Sequence, residues 1–384
     1  MHRTKTRLAL AGGGSSDLID VNSLDYAATY LALTLASEGV GLVSPNPLVG
    51  CVIVSTEGEI VGKGAYTYDG VTHAEVIALE QAGDRAKGGT AYVSLEPHDH
   101  HGKTAPCTEA LINVGIARVV CPIEDPNPLV SGKGFERLRN AGIEVVTGIL
   151  ADEASRLNEK FICWHQKKRP LVHLKLAVSL DGRISLKQSV STALSSEKAL
   201  KRVHDLRHEH DAILVGGNTA FVDRPGLTDR SGKPRRRPLT RIILDNSLCL
   251  PLDSPLVRTS TETPTIVFTS SEDFGKIGQL SDAGVSVVES ESGGRDLAAV
   301  LEHLRTLDIQ SVLVEGGTEI AGAFCDAKLV DKVTFLVAPI IIGGLDAPMA
   351  IGGNGARSIE EALSLRDVVI TQHGPDIEIT GYPA

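Results

Sequence analysis

From residue 24 onward the apolar positions fall into helical and strand rhythms that alternate along the chain. Leu24, Ala27, Ala28, Leu31 and Leu35 recur at helical spacing and predict a helix over 23–38, stopped by Gly39 and Gly41. The loop Pro45-Asn46-Pro47-Leu48-Val49-Gly50 leads into Cys51-Val52-Ile53-Val54, an unbroken apolar run that predicts a buried strand. Residues 65–72 read as a loop. Val76, Leu79 and Ala82 then predict a helix over 73–82, ended by Gly83, with His73 and Glu75 in its first turn. Strands are predicted at 91–95, 117–120 and 144–146, and another helix opens at Pro106-Cys107, with proline near the first helical position. This alternation predicts an α/β fold whose sheet is mostly parallel and covered by helices on both faces.

The rhythm breaks at the polar, basic stretch Trp164-His165-Gln166-Lys167-Lys168-Arg169-Pro170 and then restarts. Strands are predicted at 172–177, 212–215, 241–244, 265–268, 285–288, 311–314 and 333–337, and helices at 196–208, 297–306 and 320–325. A chain of 384 residues holds more than one domain. The break divides it into domains at 23–168 and 169–384. Residues 1–22, with a short apolar run and Gly12-Gly13-Gly14-Ser15-Ser16, are expected to be a disordered tail. The basic run Ser231-Gly232-Lys233-Pro234-Arg235-Arg236-Arg237 is expected to be a solvated surface loop.

Charge and cysteine content narrow the class. The 48 acidic and 38 basic residues leave a formal charge of −10, which argues against a nucleic-acid partner. No apolar run reaches the roughly 18 residues of a membrane span. Six scattered cysteines lack the dense spacing of a disulfide framework, so reduced thiols and a cytoplasmic location are expected.

The chemistry concentrates between residues 73 and 107. Thr72-His73-Ala74-Glu75, followed by Glu96-Pro97-His98-Asp99-His100-His101-Gly102-Lys103-Thr104-Ala105-Pro106-Cys107, has the pattern of a zinc deaminase, in which H-x-E supplies a ligand and a proton-carrying glutamate and a later P-C supplies a thiolate. A zinc-bound water with a pKa near ~7 provides a nucleophile at neutral pH. Glu75 is placed to carry protons. Cys107 at a helix start would have its thiolate favoured by the helix dipole. The expected ligands are His73, His98 and Cys107, and Asp99, His100 and His101 stay open as alternatives for the third position.

The resemblance reaches well beyond these residues. Pro45-Asn46-Pro47-Leu48-Val49-Gly50-Cys51-Val52-Ile53-Val54, His73-Ala74-Glu75-Val76, Leu95-Glu96-Pro97, His100-His101-Gly102-Lys103-Thr104, Cys107-Thr108-Glu109-Ala110-Leu111-Ile112 and Asp125-Pro126-Asn127-Pro128 together resemble the bifunctional deaminase/reductase of riboflavin biosynthesis. The resemblance continues through Leu174-Lys175-Leu176-Ala177-Val178-Ser179-Leu180-Asp181-Gly182-Arg183, Asp211-Ala212-Ile213-Leu214-Val215-Gly216-Gly217-Asn218-Thr219 and Val314-Glu315-Gly316-Gly317. It implies a cytidine-deaminase-like N-terminal domain followed by a dihydrofolate-reductase-like C-terminal domain. It also implies two reactions, zinc-dependent deamination of a diaminopyrimidinone ribosylamine phosphate and NADPH-dependent reduction of its ribose to ribityl.

By resemblance, Asn46 binds the deaminase substrate. Lys175, Asp223 and Glu315 line the reacting sugar. Ser191, Arg207 and Arg230 bind the reductase substrate, the arginines suiting its phosphate. Ala177, Thr219, Asn246, Gly316 and Gly317 serve the cofactor, with glycines letting backbone approach its phosphates. The partner expected is a small phosphorylated pyrimidine, and the chain is expected to form a homo-oligomer.

The chain also departs from the family. His98 stands where the family has cysteine, Tyr66 where it commonly has a histidine near the substrate phosphate, and Ala193 where it has a tryptophan. Arg224 replaces a second aspartate beside Asp223, and Thr318 replaces a proline. A reductase with a degenerate deaminase half, or a non-catalytic nucleotide-binding homologue, stays open beside the bifunctional enzyme.

Overall fold

The computed structural model describes residues 23–99, 105–188 and 190–384. The tail expected at 1–22 lies outside the described residues, as do His100 and His101. Strands β1 (Gly50–Val54), β2 (Ile60–Ala65), β3 (Thr90–Val93), β4 (Arg118–Cys121) and β5 (Glu144–Thr147) form a first sheet in the order β2-β1-β3-β4-β5. All five residues of β1 are buried. Its apolar run serves two faces at once, because successive side chains point in opposite directions. Cys51 and Ile53 pack with helix Ala74–Ala82, while Val52 and Val54 pack with helix Leu24–Ser37.

The first sheet is mixed, which corrects the expectation of a mostly parallel one. β1 runs antiparallel to both β2 and β3, and only β3-β4-β5 are parallel. β2 itself was not expected. Its sequence, Ile60-Val61-Gly62-Lys63-Gly64-Ala65, carries glycines where strands favour β-branched residues. The packing of the neighbouring helix explains them. A Cβ on Gly64 would lie 2.2 Å from the Ala74 carbonyl oxygen, and one on Gly62 would lie 2.0 Å from that of Ala78. The helix bearing His73 at its N-cap and Glu75 in its first turn therefore rests directly on the β2 backbone.

The second sheet contains β6 (Leu171–Ser179), β7 (Ala212–Gly216), β8 (Thr240–Leu244), β9 (Thr265–Thr269), β10 (Ser286–Glu289), β11 (Ser311–Val314), β12 (Lys332–Ala338), β13 (Leu365–His373) and β14 (Asp376–Pro383). Its order is β10-β9-β8-β7-β11-β6-β12-β14-β13. Pairings from β10 through β12 are parallel, as the alternation predicts. The C-terminal β13-β14 hairpin adds antiparallel strands at one edge. No strand pattern marks that hairpin in the sequence, because β13 is largely exposed and lacks a continuous apolar run.

The two halves meet along residues 41–46 of the first and along its last stretch, where Glu159 accepts from Lys332 at 2.8 Å and Lys167 pairs with Asp331 at 2.6 Å. The Arg236 backbone N–H donates to the Gly41 carbonyl at 3.0 Å, Arg237 donates to the Ser44 hydroxyl at 3.0 Å, and the Gln310 amide donates to the Pro45 carbonyl at 2.7 Å. Gly41 makes this approach possible, since a Cβ there would lie 2.6 Å from the His208 ring. The run 231–237 is thus no simple solvated loop. Arg235 donates to the carbonyls of Arg207, His208 and His210, and the Arg236 guanidinium lies 3.6 Å from the centre of the Tyr68 ring.

Candidate active sites

The first site forms where the N-terminus of helix Ala74–Ala82 meets that of helix Cys107–Val114. The ligand atoms of His73, His98 and Cys107 all lie within 4.8 Å of one another. The His73 and His98 rings are 4.4 Å apart, centre to centre. Two imidazoles and one thiolate are a sound donor set for zinc, and three protein ligands leave the fourth position open for water or substrate. Asp99 belongs elsewhere, because its carboxylate accepts from the Thr108 hydroxyl at 2.5 Å at the start of the next helix.

Glu75 completes this arrangement. Burial pushes its carboxyl up, and one of its oxygens, Oε2, is buried with no partner among the described residues. An unsatisfied buried oxygen is costly unless something else in the site bonds it. A ligand water or a departing amine fits that need. Burial and the neighbouring Glu75 also push the Cys107 thiol up, outweighing the helix-dipole effect expected from the sequence. Its thiolate would therefore form together with the metal, whose charge reverses the local balance.

A cavity of about 530 Å³ opens in front of these groups, and it is lined by Asn46, Tyr66 and Glu75 among others. The Asn46 amide donates to the Tyr66 hydroxyl at 2.6 Å, and the Tyr66 ring stands 5.6 Å from that of His73. Tyr66 therefore buttresses Asn46 in the position where the family commonly has histidine. Glu96 is bonded throughout, accepting from the backbone N–H groups of Asp125, Gly132, Gly134 and Phe135. Burial, with Glu96 nearby, lifts the cavity-lining Asp125 to about 6. Part of the wall comes from further along the chain, where Phe161, Trp164, His165, Asp308 and Gln310 face the same cavity. No local pattern marks these residues, and Asp308 and Gln310 reach this cavity from the second half only through the fold.

The second site lies where parallel strands β7, β8 and β11 end, the edge at which α/β sheets bind their ligands. A cavity of about 1360 Å³ is lined there by Lys175, Ala177, Ser191, Thr219, Asp223, Asn246, Glu315, Gly316 and Gly317. Each of these was expected from the sequence. Lys175 pairs with Glu315 at 3.6 Å, and Arg207 grips the same carboxylate with contacts of 2.8 and 3.0 Å. Burial alone would raise Glu315, but the Lys175 and Arg207 cations hold it down at about 2.

The two arginines expected to take a phosphate are placed differently. Neither Arg207 nor Arg230 lines the cavity; Arg207 is committed to Glu315 and the Thr228 carbonyl, while Arg230 donates to the Thr228 hydroxyl at 3.2 Å. Arg224 does not crowd Asp223, for its guanidinium pairs with Asp253 at 2.6 Å. Thr318 is accommodated at the start of helix Thr318–Asp326, its hydroxyl donating to the Met349 carbonyl at 2.5 Å. Gly316 carries no Cβ because one would lie 2.5 Å from Ile320. Its turn leads to the free amides at the start of that helix, a cradle suited to a dinucleotide's phosphates.

Comparison with known proteins identifies both halves of the chain. The family described as cytidine and deoxycytidylate deaminase zinc-binding region matches residues 23–123, and the RibD C-terminal domain matches residues 170–379. The riboflavin biosynthesis protein RibD of Aquifex aeolicus is 43% identical over 359 residues, covering 94% of this chain and 98% of its own. The chain belongs to the RibD family of riboflavin biosynthesis. Among solved RibD structures, form 1 of the Acinetobacter baumannii protein is 34% identical with a TM-score of 0.83, covering 94% of this chain and 99% of that one. A Thermotoga maritima protein described as a diaminohydroxyphosphoribosylaminopyrimidine deaminase/5-amino-6-(5-phosphoribosylamino)uracil reductase gives 34% identity and a TM-score of 0.81, again covering 94% and 99%. As a RibD-family member the chain is a deaminase and reductase of riboflavin biosynthesis, with a zinc-binding deaminase region. Among the described residues, no helix is long and apolar enough to cross a membrane.

Proposed function

We propose that both activities are live in this chain, that the deaminase acts on a diaminopyrimidinone ribosylamine phosphate, and that the reductase uses NADPH to convert its ribose to ribityl. The convergence of His73, His98 and Cys107 beside the unpartnered Oε2 of Glu75 carries this reading. Zinc, when bound, supplies the Lewis acidity that makes water a nucleophile at neutral pH. Glu75 holds a proton at Oε2 and delivers it to the departing amine, a role suited by its raised carboxyl. Asn46, fixed by Tyr66, orients the pyrimidine.

In the second half, NADPH supplies the hydride. Lys175 is held by Glu315 at the sugar, where its ammonium stabilises charge on the ring oxygen as the sugar opens, and Asp223 shares that cavity. Asn246, Thr219 and the Gly316-Gly317 turn hold the cofactor.

Metal analysis and a deamination assay on purified protein test the first half. The expected result is about one zinc per chain with turnover of the phosphorylated aminopyrimidine, and near-absence of metal would sink it. The cobalt-substituted protein should show the charge-transfer absorption of one thiolate, and His98→Cys should roughly double it, since each thiolate contributes its own transition. An unchanged band in His98→Cys would remove residue 98 from the ligand set.

A homo-oligomer is supported by edge strand β13, where Val368, Val369 and Ile370 are 48%, 52% and 69% exposed. An apolar sheet edge left open to water is a pairing surface. Light scattering should give at least twice the 40.6 kDa of one chain, and a monomer mass would refute this. A cytoplasmic site of action is supported by six cysteines that form no disulfide. Rapid modification of the partly exposed Cys249 by a thiol reagent in intact cell extract would agree, and recovery of the chain in oxidised form would not.

A further inference from the structure

We propose that the reductase half is a working part of the deaminase site, with Gln310 and Arg236 acting as positioning residues for Asn46 and Tyr66. The inference rests on the deaminase reading above and goes beyond it, because both residues belong to the other domain.

Residues 39–49 have turns but no regular element, so their place must come from what they bind. Leu48 is held from within the first domain, its N–H and carbonyl both bonded to the Asn158 side chain at 2.9 Å, while residues 41, 44 and 45 are held by the reductase half. Arg236 donates from its backbone to the Gly41 carbonyl at 3.0 Å and from its guanidinium to the Ser44 carbonyl, and Gln310 donates to the Pro45 carbonyl at 2.7 Å. Three carbonyls within five residues are thus held from across the domain boundary. The next residue is Asn46, whose amide reaches Tyr66.

Arg236 reaches the opposite wall as well. Its guanidinium stacks 3.6 Å from the centre of the Tyr68 ring, which lines the same cavity two residues after Tyr66. One guanidinium therefore ties the two loops that bear Asn46 and Tyr66. Gln310 is 4% exposed and is itself fixed, its backbone N–H donating to Asp211 at 2.9 Å. A buried donor of this kind has little freedom to follow a moving loop, so it sets the loop's position. A displaced Asn46 would loosen its contact with substrate in the bound state and the transition state alike, which raises KM and leaves kcat.

The test uses full-length Gln310→Met and Arg236→Met, which keep bulk but lose the donor and the cation, with Arg236→Lys as the conservative variant. Deaminase KM for the phosphorylated aminopyrimidine should rise on the order of tenfold while kcat stays within about twofold, the signature of uniform binding lost through Asn46. Arg236→Lys should recover part of the loss, and reduction of the deaminated substrate should match wild type in all three. Hydrogen exchange in residues 41–49 should quicken by about tenfold in the methionine variants. Unchanged KM with unchanged exchange, or a parallel fall in both activities, would overturn the proposal. A wild-type protein that deaminates nothing would count against the deaminase reading alone. The exchange measurement then decides this one, faster exchange supporting it and unaltered protection overturning it.

Discussion

Glu75→Gln should lower deaminase turnover by about a thousandfold, within the range attributed to a positioned acid or base, while zinc content and NADPH-dependent reduction stay at wild-type levels. The substitution keeps the shape and removes only the ionisable oxygen. Glu75 is 2% exposed, so solvent cannot easily replace it as a proton carrier. Among the described residues its Oε2 has no partner that the amide would lose. A structural role would therefore predict little change, and the catalytic role predicts a large one. Turnover near wild type in a zinc-loaded variant would end the proton-carrier assignment.

Glu315→Ala should abolish reduction and destabilise the protein by about 3–5 kcal/mol, the usual penalty for stranding buried partners of a lost charge. Lys175 and Arg207 both depend on this carboxylate, with side chains only 8% and 15% exposed. Glu315→Gln keeps hydrogen-bonding capacity and should cost less. The pH dependence fixes the mechanism. Glu315 sits at about 2 in the folded chain, below the ~4.3 of a free glutamate, so its stabilisation is complete above the unfolded value and disappears as pH falls through the folded one. The gap between wild type and Glu315→Gln in urea midpoint should therefore be constant from pH 7 down to about 5 and narrow between about 4.3 and 2. A gap that persists unchanged through that acid window would rule out charge as its source.

The parts of the molecule legible in the sequence are those whose cause is local. β7 and the Ile242-Ile243-Leu244 and Val312-Leu313-Val314 runs of β8 and β11 are apolar and buried on both faces, and a run of that kind has few other uses. His73, Glu75 and Cys107 are carried by two helix starts, where spacing along the chain translates directly into geometry. β2 hid because its glycines answer to a helix packed on its backbone rather than to the strand. Arg207 was expected to hold a phosphate and instead holds Glu315, a partner 108 residues away that no local pattern announces. Gln310 and Arg236 escaped for the same reason on a larger scale, one bonding Pro45 across 265 positions and the other bonding Ser44 across 192.

β11 is four residues long and fully buried, with Gln310 before it and Glu315 after it. One end touches the deaminase cavity and the other the reductase cavity. At about 3.3 Å per residue these ends stand roughly 17 Å apart, facing opposite edges of one sheet. Along this strand the sheet itself lies between the two cavities. What the fusion secures is stoichiometry: each chain inherits one site of each kind, and a change that tilts this strand is felt by both.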